Sequence, residues 1–196
     1  MKIALWNIER LQKNKTTKII EILRKDNADI IVLTEANTLI NLKDTYPFVF
    51  TTQSLHTLDP KMYANGEVRV IIYSKFKILQ TYATYDGYTS LCCDLETPQG
   101  PLRIYGTIIG SLGGNGPGRK GYISDLQNQL KDYDKLLANE CGCIVGDLNT
   151  SFTGFPYPSK QDQTVLVECF KELKMANLSE RYIDLKVTGE KNINVD

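Results

Sequence analysis

The chain has 196 residues, enough for one domain with a proper buried core. Its 23 Lys and Arg balance 23 Asp and Glu, giving a formal net charge of zero, and its hydrophobic fraction is 42%. That balance speaks against a protein whose main work is gripping nucleic acid through bulk positive charge, and the ordinary apolar content fits a globular chain.

Lys2 to Ile8 predicts a strand, with Ile3, Leu5 and Asn7 on one face. Thr16 to Asp26 predicts a helix whose apolar side is Ile19, Ile20, Ile22 and Leu23. Asp29 to Thr34 is a continuous apolar run suited to a strand buried on both faces, and it ends at Glu35. Phe48–Thr51, Val68–Ser74, Ile78–Ala83, Thr89–Glu96 and Leu102–Ile109 follow as strands. Pro98-Gln99-Gly100-Pro101 turns the last two into a hairpin. A glycine-rich loop from Gly110 to Gly121 precedes a helix carrying Tyr122, Ile123, Leu126, Leu130, Tyr133 and Leu137. Cys143 to Gly146 is a short buried strand ending at Asp147, and a helix with Leu166, Cys169, Phe170 and Leu173 comes later. Ile193 to Asp196 starts one more strand.

Consecutive strands between helices do not suit a doubly wound parallel sheet; they predict mixed sheets with helices packed outside. No repeat, linker or low-complexity tract is visible, so residues 1–196 are expected to form a single domain. No apolar run approaches the roughly 20 residues a spanning helix needs, and no signal segment opens the chain; a cytoplasmic location is expected. The five cysteines have neither zinc-knuckle spacing nor an even count, and are expected to be reduced, mostly buried thiols.

Three polar motifs stand where apolar strands end: Trp6-Asn7-Ile8-Glu9, Thr34-Glu35 and Gly146-Asp147-Leu148-Asn149. Side chains at strand ends can converge at one edge of a sheet. Glu35 and Glu9 supply carboxylates, and Asn7 a neutral amide. Asp147 suits the orientation or deprotonation of a water, and Asn149 suits donation to phosphate oxygens. Grouped carboxylates repel and raise one another's pKa unless a cation lies between them, so the set points to a divalent metal with oxygen ligands.

These motifs, with Asp29–Glu35 and Gly106–Gly110, resemble in order and spacing the endonuclease/exonuclease/phosphatase superfamily, which includes pancreatic DNase, exonuclease III-type abasic-site nucleases, inositol polyphosphate 5-phosphatases and neutral sphingomyelinases. The resemblance implies an α/β (α+β) four-layer α/β/β/α sandwich, two mixed sheets face to face with helices outside. It implies Glu35 as the main Mg²⁺ ligand (Mn²⁺ being a plausible substitute), with Glu9 as an accessory acid and Asn7 beside metal and phosphate. Asp147 would handle the water, Asn149 would hold the scissile phosphate, and Asp196 would orient a catalytic histidine.

Two departures stand out. The family's closing Ser-Asp-His element would fall beyond Asp196, and the single histidine, His56, matches no catalytic position. The domain is therefore expected to be C-terminally incomplete, its last strand missing, and to bind metal while turning over poorly. Some relatives carry His or Tyr where this chain has Ile108.

The segment Gly116 to Gly121 spells GxGxxG but does not follow its strand at once, so it is no dinucleotide fingerprint. Either Arg119 or Lys120 contacts substrate phosphate from this loop, or the loop is a solvated turn. Arg69, inside a strand, is either a buried ion-pair partner or a residue that reaches the site. The expected activity is Mg²⁺-dependent hydrolysis of phosphate esters by a monomer, first as a nuclease. The alternatives are a small-molecule or lipid-headgroup phosphatase and a non-catalytic binding module.

Overall fold

The computed structural model describes residues 1–112, 121–152, 156 and 158–178. Arg119, Lys120, Asp196 and the strand expected at 193–196 lie outside the described residues. The chain divides into two compact units, Met1–Asp147 and Leu148–Asp196.

Among the described residues, the first unit holds eight strands in two four-stranded mixed sheets. One has the order β1-β2-β4-β3, built from β1 (Ile3–Asn7), β2 (Ile30–Asn37), β3 (Phe48–Thr51) and β4 (Glu67–Ser74). The other has the order β5-β6-β7-β8, built from β5 (Ile78–Tyr82), β6 (Ser90–Thr97), β7 (Gly100–Ile108) and β8 (Gly142–Asp147). Parallel pairs join β1 to β2 and β7 to β8; the other pairings are antiparallel.

The sheets meet face to face. Ile30, Val32, Val70 and Ile72 of the first pack with Leu91, Cys93, Leu95, Ile104 and Ile108 of the second. Glycine permits the closest approach: a Cβ on Gly106 would sit 3.0 Å from Val70 Cγ1. Helix α1 (Thr16–Asp26) covers the outer face of the first sheet, burying Ile19 and Leu23 against a core that includes Ile31, Leu33, Ile71 and Tyr73. It stops at Asn27, whose left-handed backbone lets its N–H reach the Leu23 carbonyl, with Arg24 and Lys25 in the last turn opposing the helix dipole.

Helix α2 (Tyr122–Leu137) covers the outer face of the second sheet, and its buried side is polar where it meets the strands. Gln129 accepts hydrogen bonds from Thr107 and Tyr133, both at 2.7 Å. Asp132 accepts from the Tyr105 hydroxyl at 2.8 Å and the Tyr85 N–H at 2.7 Å. Helix, sheet, sheet and helix thus make the four layers expected from the sequence.

In the second unit, α3 (Lys160–Glu172) begins at Ser159, whose hydroxyl accepts the Asp162 N–H at 3.2 Å. Phe152 stacks on Phe170 with centroids 5.8 Å apart.

β1 is an edge strand, and Leu5 is 45% exposed. One expectation needs correction. Strand β2 does not end at Thr34, because backbone pairing with β4 continues through Ala36 and Asn37 after the apolar run has stopped. The cysteines are free; Cys92 and Cys93 are buried, Cys143 and Cys169 are half-buried, and Cys141 is exposed.

Candidate functional site

Parallel pairing sends the C-terminal ends of β1 and β2 to one edge of the sandwich, and those of β7 and β8 likewise. Asn7 closes β1 and Asp147 closes β8, and the Asn7 side-chain amide donates to Asp147 Oδ2 at 3.1 Å. One hydrogen bond between residues 140 positions apart therefore joins the two sheets' strand ends. The amide's oxygen is engaged too, accepting the Glu9 N–H at 3.0 Å. Both ends of the Asn7 amide are thus engaged, one with Asp147 and one with the backbone of Glu9.

β8 reaches this place because Gly146 lies directly against β7. A Cβ at Gly146 would sit 1.9 Å from the Thr107 carbonyl oxygen. The glycine before the aspartate is thus a condition of the geometry.

Glu35 sits in β2 with φ of +44°, between the Thr34–Val70 and Ala36–Val68 pairs. Its cross-strand neighbour is therefore Arg69. The Glu35 side chain is half-buried, and it makes no hydrogen bond or ion pair among the described residues. Glu9 departs from the expected grouping: its side chain is 74% exposed and pairs with Lys15 Nζ at 3.7 Å. Glu9, Arg10 and Leu11 all have positive φ, a left-handed turn after β1.

That turn delivers Arg10 to Glu67, which the sequence motifs do not mark. The Arg10 guanidinium donates to both Glu67 carboxylate oxygens, through Nε and, at 3.2 Å, through Nη2. Glu67 is buried and also accepts the Ala64 N–H at 3.0 Å. Arg69 Nη1 lies 3.5 Å from the same carboxylate. Both guanidinium groups stand over the Tyr63 ring at 5.5 Å. The Glu67 carboxylate raises the Arg10 pKa, chiefly by hydrogen bonding. Burial is the main influence on Arg69 and lowers its pKa, against the opposing charge of Glu35. Arg69 is thus both of the things its place in an apolar run suggested, a buried ion-pair partner and a neighbour of Glu35. Arg10, Glu67 and Tyr63 were missed; charged residues at alternate positions in Glu67-Val68-Arg69-Val70 were the available signal.

Asn149 follows two residues after β8 with φ of +49° and belongs to the second unit. His56 lies in a short turn, its Nδ1 3.0 Å from the Tyr63 carbonyl.

A family model, the Endonuclease/Exonuclease/phosphatase family, matches residues 4–166. The chain belongs to that family. Comparison with curated proteins gives no match. Among solved structures, the chain is similar to an endonuclease/exonuclease/phosphatase protein from Beutenbergia cavernae, at 18% identity and TM-score 0.62, covering 86% of this chain and 53% of that one. It is similar to an AP endonuclease from Archaeoglobus fulgidus, at 12% identity and TM-score 0.61, covering 88% and 70%. It is also similar to sphingomyelinase C from Streptomyces griseocarneus, at 18% identity and TM-score 0.59, covering 90% and 70%. The chain spans about half the length of the first structure and 70% of each of the others. At these identities the likeness establishes the fold.

Endonuclease/exonuclease/phosphatase proteins are hydrolases of phosphate esters, generally dependent on a divalent metal. The donors at this edge fit such an ion. They are oxygen only, and the Glu35 carboxylate makes no hydrogen bond or ion pair among the described residues, its electrostatic partners being Arg69 and Arg10. No three His, Cys, Asp or Glu side chains gather into an all-protein cage among the described residues. Mg²⁺ does not need one, since it is commonly held by one or two carboxylates, with water and substrate phosphate completing the shell.

Proposed function

We propose that the protein is a divalent-metal-dependent phosphoesterase of the endonuclease/exonuclease/phosphatase type, acting as a nuclease on nucleic-acid phosphodiesters, with Mg²⁺ as its metal. The carrying observation is the Asn7–Asp147 hydrogen bond at 3.1 Å, which sets the ends of two family motifs together at one edge. Glu35 would hold the ion, which when bound neutralises charge developing on the phosphate oxygens. Asp147, its carboxylate fixed by the Asn7 amide, orients the attacking water and takes its proton. Asn149 donates to the scissile phosphate, and Arg119 and Lys120 contact phosphate from the glycine-rich loop. Glu9, exposed and paired with Lys15, is at most a peripheral acid.

A second reading, a phosphatase acting on small phosphorylated molecules or headgroups, is favoured by one observation, the net charge of zero. The deciding experiment assays the protein as its gene encodes it, with Mg²⁺ or Mn²⁺, against abasic duplex DNA, single-stranded DNA, RNA and small phosphate esters. Cleavage of a polynucleotide, abolished by EDTA, by Glu35→Gln and by Asp147→Ala, supports the nuclease. Cleavage confined to small esters moves the assignment to the second reading. Undiminished cleavage by both folded variants would falsify the site.

A further inference from the structure

The cluster around Arg69 contains more donors than acceptors. Arg69 is 5% exposed; among the described residues its Nε and Nη1 have no hydrogen-bond partner, while Nη2 donates to the Ser111 carbonyl at 3.3 Å. The hydroxyl of Ser111 is buried and also lacks a partner. A buried guanidinium left this way is costly, because one hydrogen bond and a 3.5 Å ion pair replace the lost water only in part. Native interiors rarely keep such groups, and where they persist a missing acceptor is a natural explanation.

Charge points in the same direction. Arg10 and Arg69 carry two positive charges, and Glu67 answers one of them through its bonds to Arg10 and its 3.5 Å pair with Arg69. The remaining counter-charge is Glu35, opposite Arg69 on β2. A Glu35 engaged with a metal ion no longer neutralises Arg69. The cluster then has one positive charge in excess and two guanidinium N–H positions without acceptors. Both guanidinium groups stand 5.5 Å from the centroid of the Tyr63 ring, which flanks the pair. Glu35 and Ser111 are half-buried, so the cluster meets solvent on the side where they stand.

We propose that Arg69, with the Ser111 hydroxyl, forms a subsite for a phosphate oxyanion of the substrate beside Glu35, held in place by Glu67, Arg10 and Tyr63. The proposal rests on the phosphoesterase reading for the identity of the anion. The shared chemistry is a tetrahedral phosphate oxygen, whose source is either a terminal phosphomonoester or a phosphodiester neighbouring the scissile one. Arginine suits the task because its planar, permanently charged fork presents several donors at once, which a lysine at the same place cannot.

The test is titration of the full-length protein, by calorimetry and by thermal melting, with inorganic phosphate, a 5′-phosphorylated dinucleotide and its unphosphorylated counterpart. Wild type, Arg69→Gln, Arg69→Lys, Ser111→Ala and Glu35→Gln are compared with and without Mg²⁺. Wild type should bind inorganic phosphate and melt at a higher temperature in its presence. Arg69→Gln should weaken binding at least tenfold, and Arg69→Lys should restore only part of it. Ser111→Ala, which keeps the buried ion pair, should weaken binding several-fold and keeps the proposal testable if the Arg69 variants fail to fold. Glu35→Gln should bind phosphate as well as wild type or better, since a neighbouring negative charge is gone, while losing hydrolysis. An Arg69 effect on the 5′-phosphorylated dinucleotide alone assigns the subsite to a terminal phosphate; an equal effect on both dinucleotides assigns it to the diester. No phosphate binding by wild type, or equal binding by wild type, Arg69→Lys and Ser111→Ala, overturns the proposal. Failure of hydrolysis throughout the substrate panel with Arg69-dependent phosphate binding intact overturns the phosphoesterase reading instead.

Discussion

Asn7 has both halves of its amide committed, the nitrogen to Asp147 and the oxygen to the backbone of Glu9. Substitution by Asp keeps the size and removes the donor. It also sets a second carboxylate against Asp147, and two like charges in contact raise the pKa of one of them. Asn7→Asp should therefore lower kcat by roughly 10- to 100-fold, as expected for a misplaced catalytic group. It should also move the acidic limb of the pH–rate profile upward, because Asp147 must lose its proton to act as a base. A slower variant with an unmoved acidic limb would show that Asn7 does not act through Asp147. At this scale the positions of Asn7 and Asp147 at the ends of β1 and β8 were legible in the sequence, because each closes an apolar strand. The Arg10–Glu67–Arg69 cluster was not. Its partners lie 57 positions apart in the case of Arg10 and Glu67, and meet only because the turn after β1 is left-handed.

Adjacent strands impose two demands that can be measured separately. At the β7–β8 pair, Gly146 leaves no room for a side chain, since the Thr107 carbonyl would lie 1.9 Å from a Cβ. Gly146→Ala must push the strands apart, at a cost of about 3 kcal/mol or more by analogy with severe overpacking. Denaturant unfolding should show that loss, and a variant within about 1 kcal/mol of wild type would contradict the pairing of Gly146 with Thr107. At the β6–β7 pair, Arg103 stands directly opposite Asp94 and donates to both its oxygens at 2.7 and 2.9 Å, while its Nη1 reaches the Leu136 carbonyl at the end of α2. The guanidinium hydrogen bonds hold the Asp94 carboxyl below the ordinary carboxylate range. A depressed native pKa adds stability that is complete above the unfolded value, about pH 4, and is lost as pH falls through the native one. Asp94→Asn should lower stability by about 1–3 kcal/mol at neutral pH and flatten the decline on acidification. Unfolding free energies measured between pH 7 and pH 2 check both. Strand and helix positions were readable from period and turn chemistry, whereas the extension of β2 through Glu35 was not. Its last residues are polar, and only pairing with β4 keeps them in the sheet.

Across the whole molecule, two mixed sheets enclosed by α1 and α2 follow from the order of the elements, and the zero net charge sets what such a body can do with a polyanion. The boundary between the two compact units was not legible, since it falls inside the Gly146–Asn149 motif, between Asp147 and Leu148. A chain without excess cations has to bind nucleic acid through a few local contacts, each releasing about one condensed counterion. If Arg69 and one basic residue of the glycine-rich loop meet two phosphates, the slope of log K against log salt on duplex DNA is about −1.8. Raising salt from roughly 50 to 200 mM then costs about 12-fold in affinity. Arg69→Gln should reduce the slope by about one unit, whereas a substitution at an exposed lysine far from the strand ends, such as Lys25, should leave it unchanged. A thousand-fold loss over the same range would mean six or more phosphate contacts. That number would mean that the grip on the substrate extends well beyond Arg69 and the glycine-rich loop, to others of the chain's 23 Lys and Arg or to a basic surface outside it.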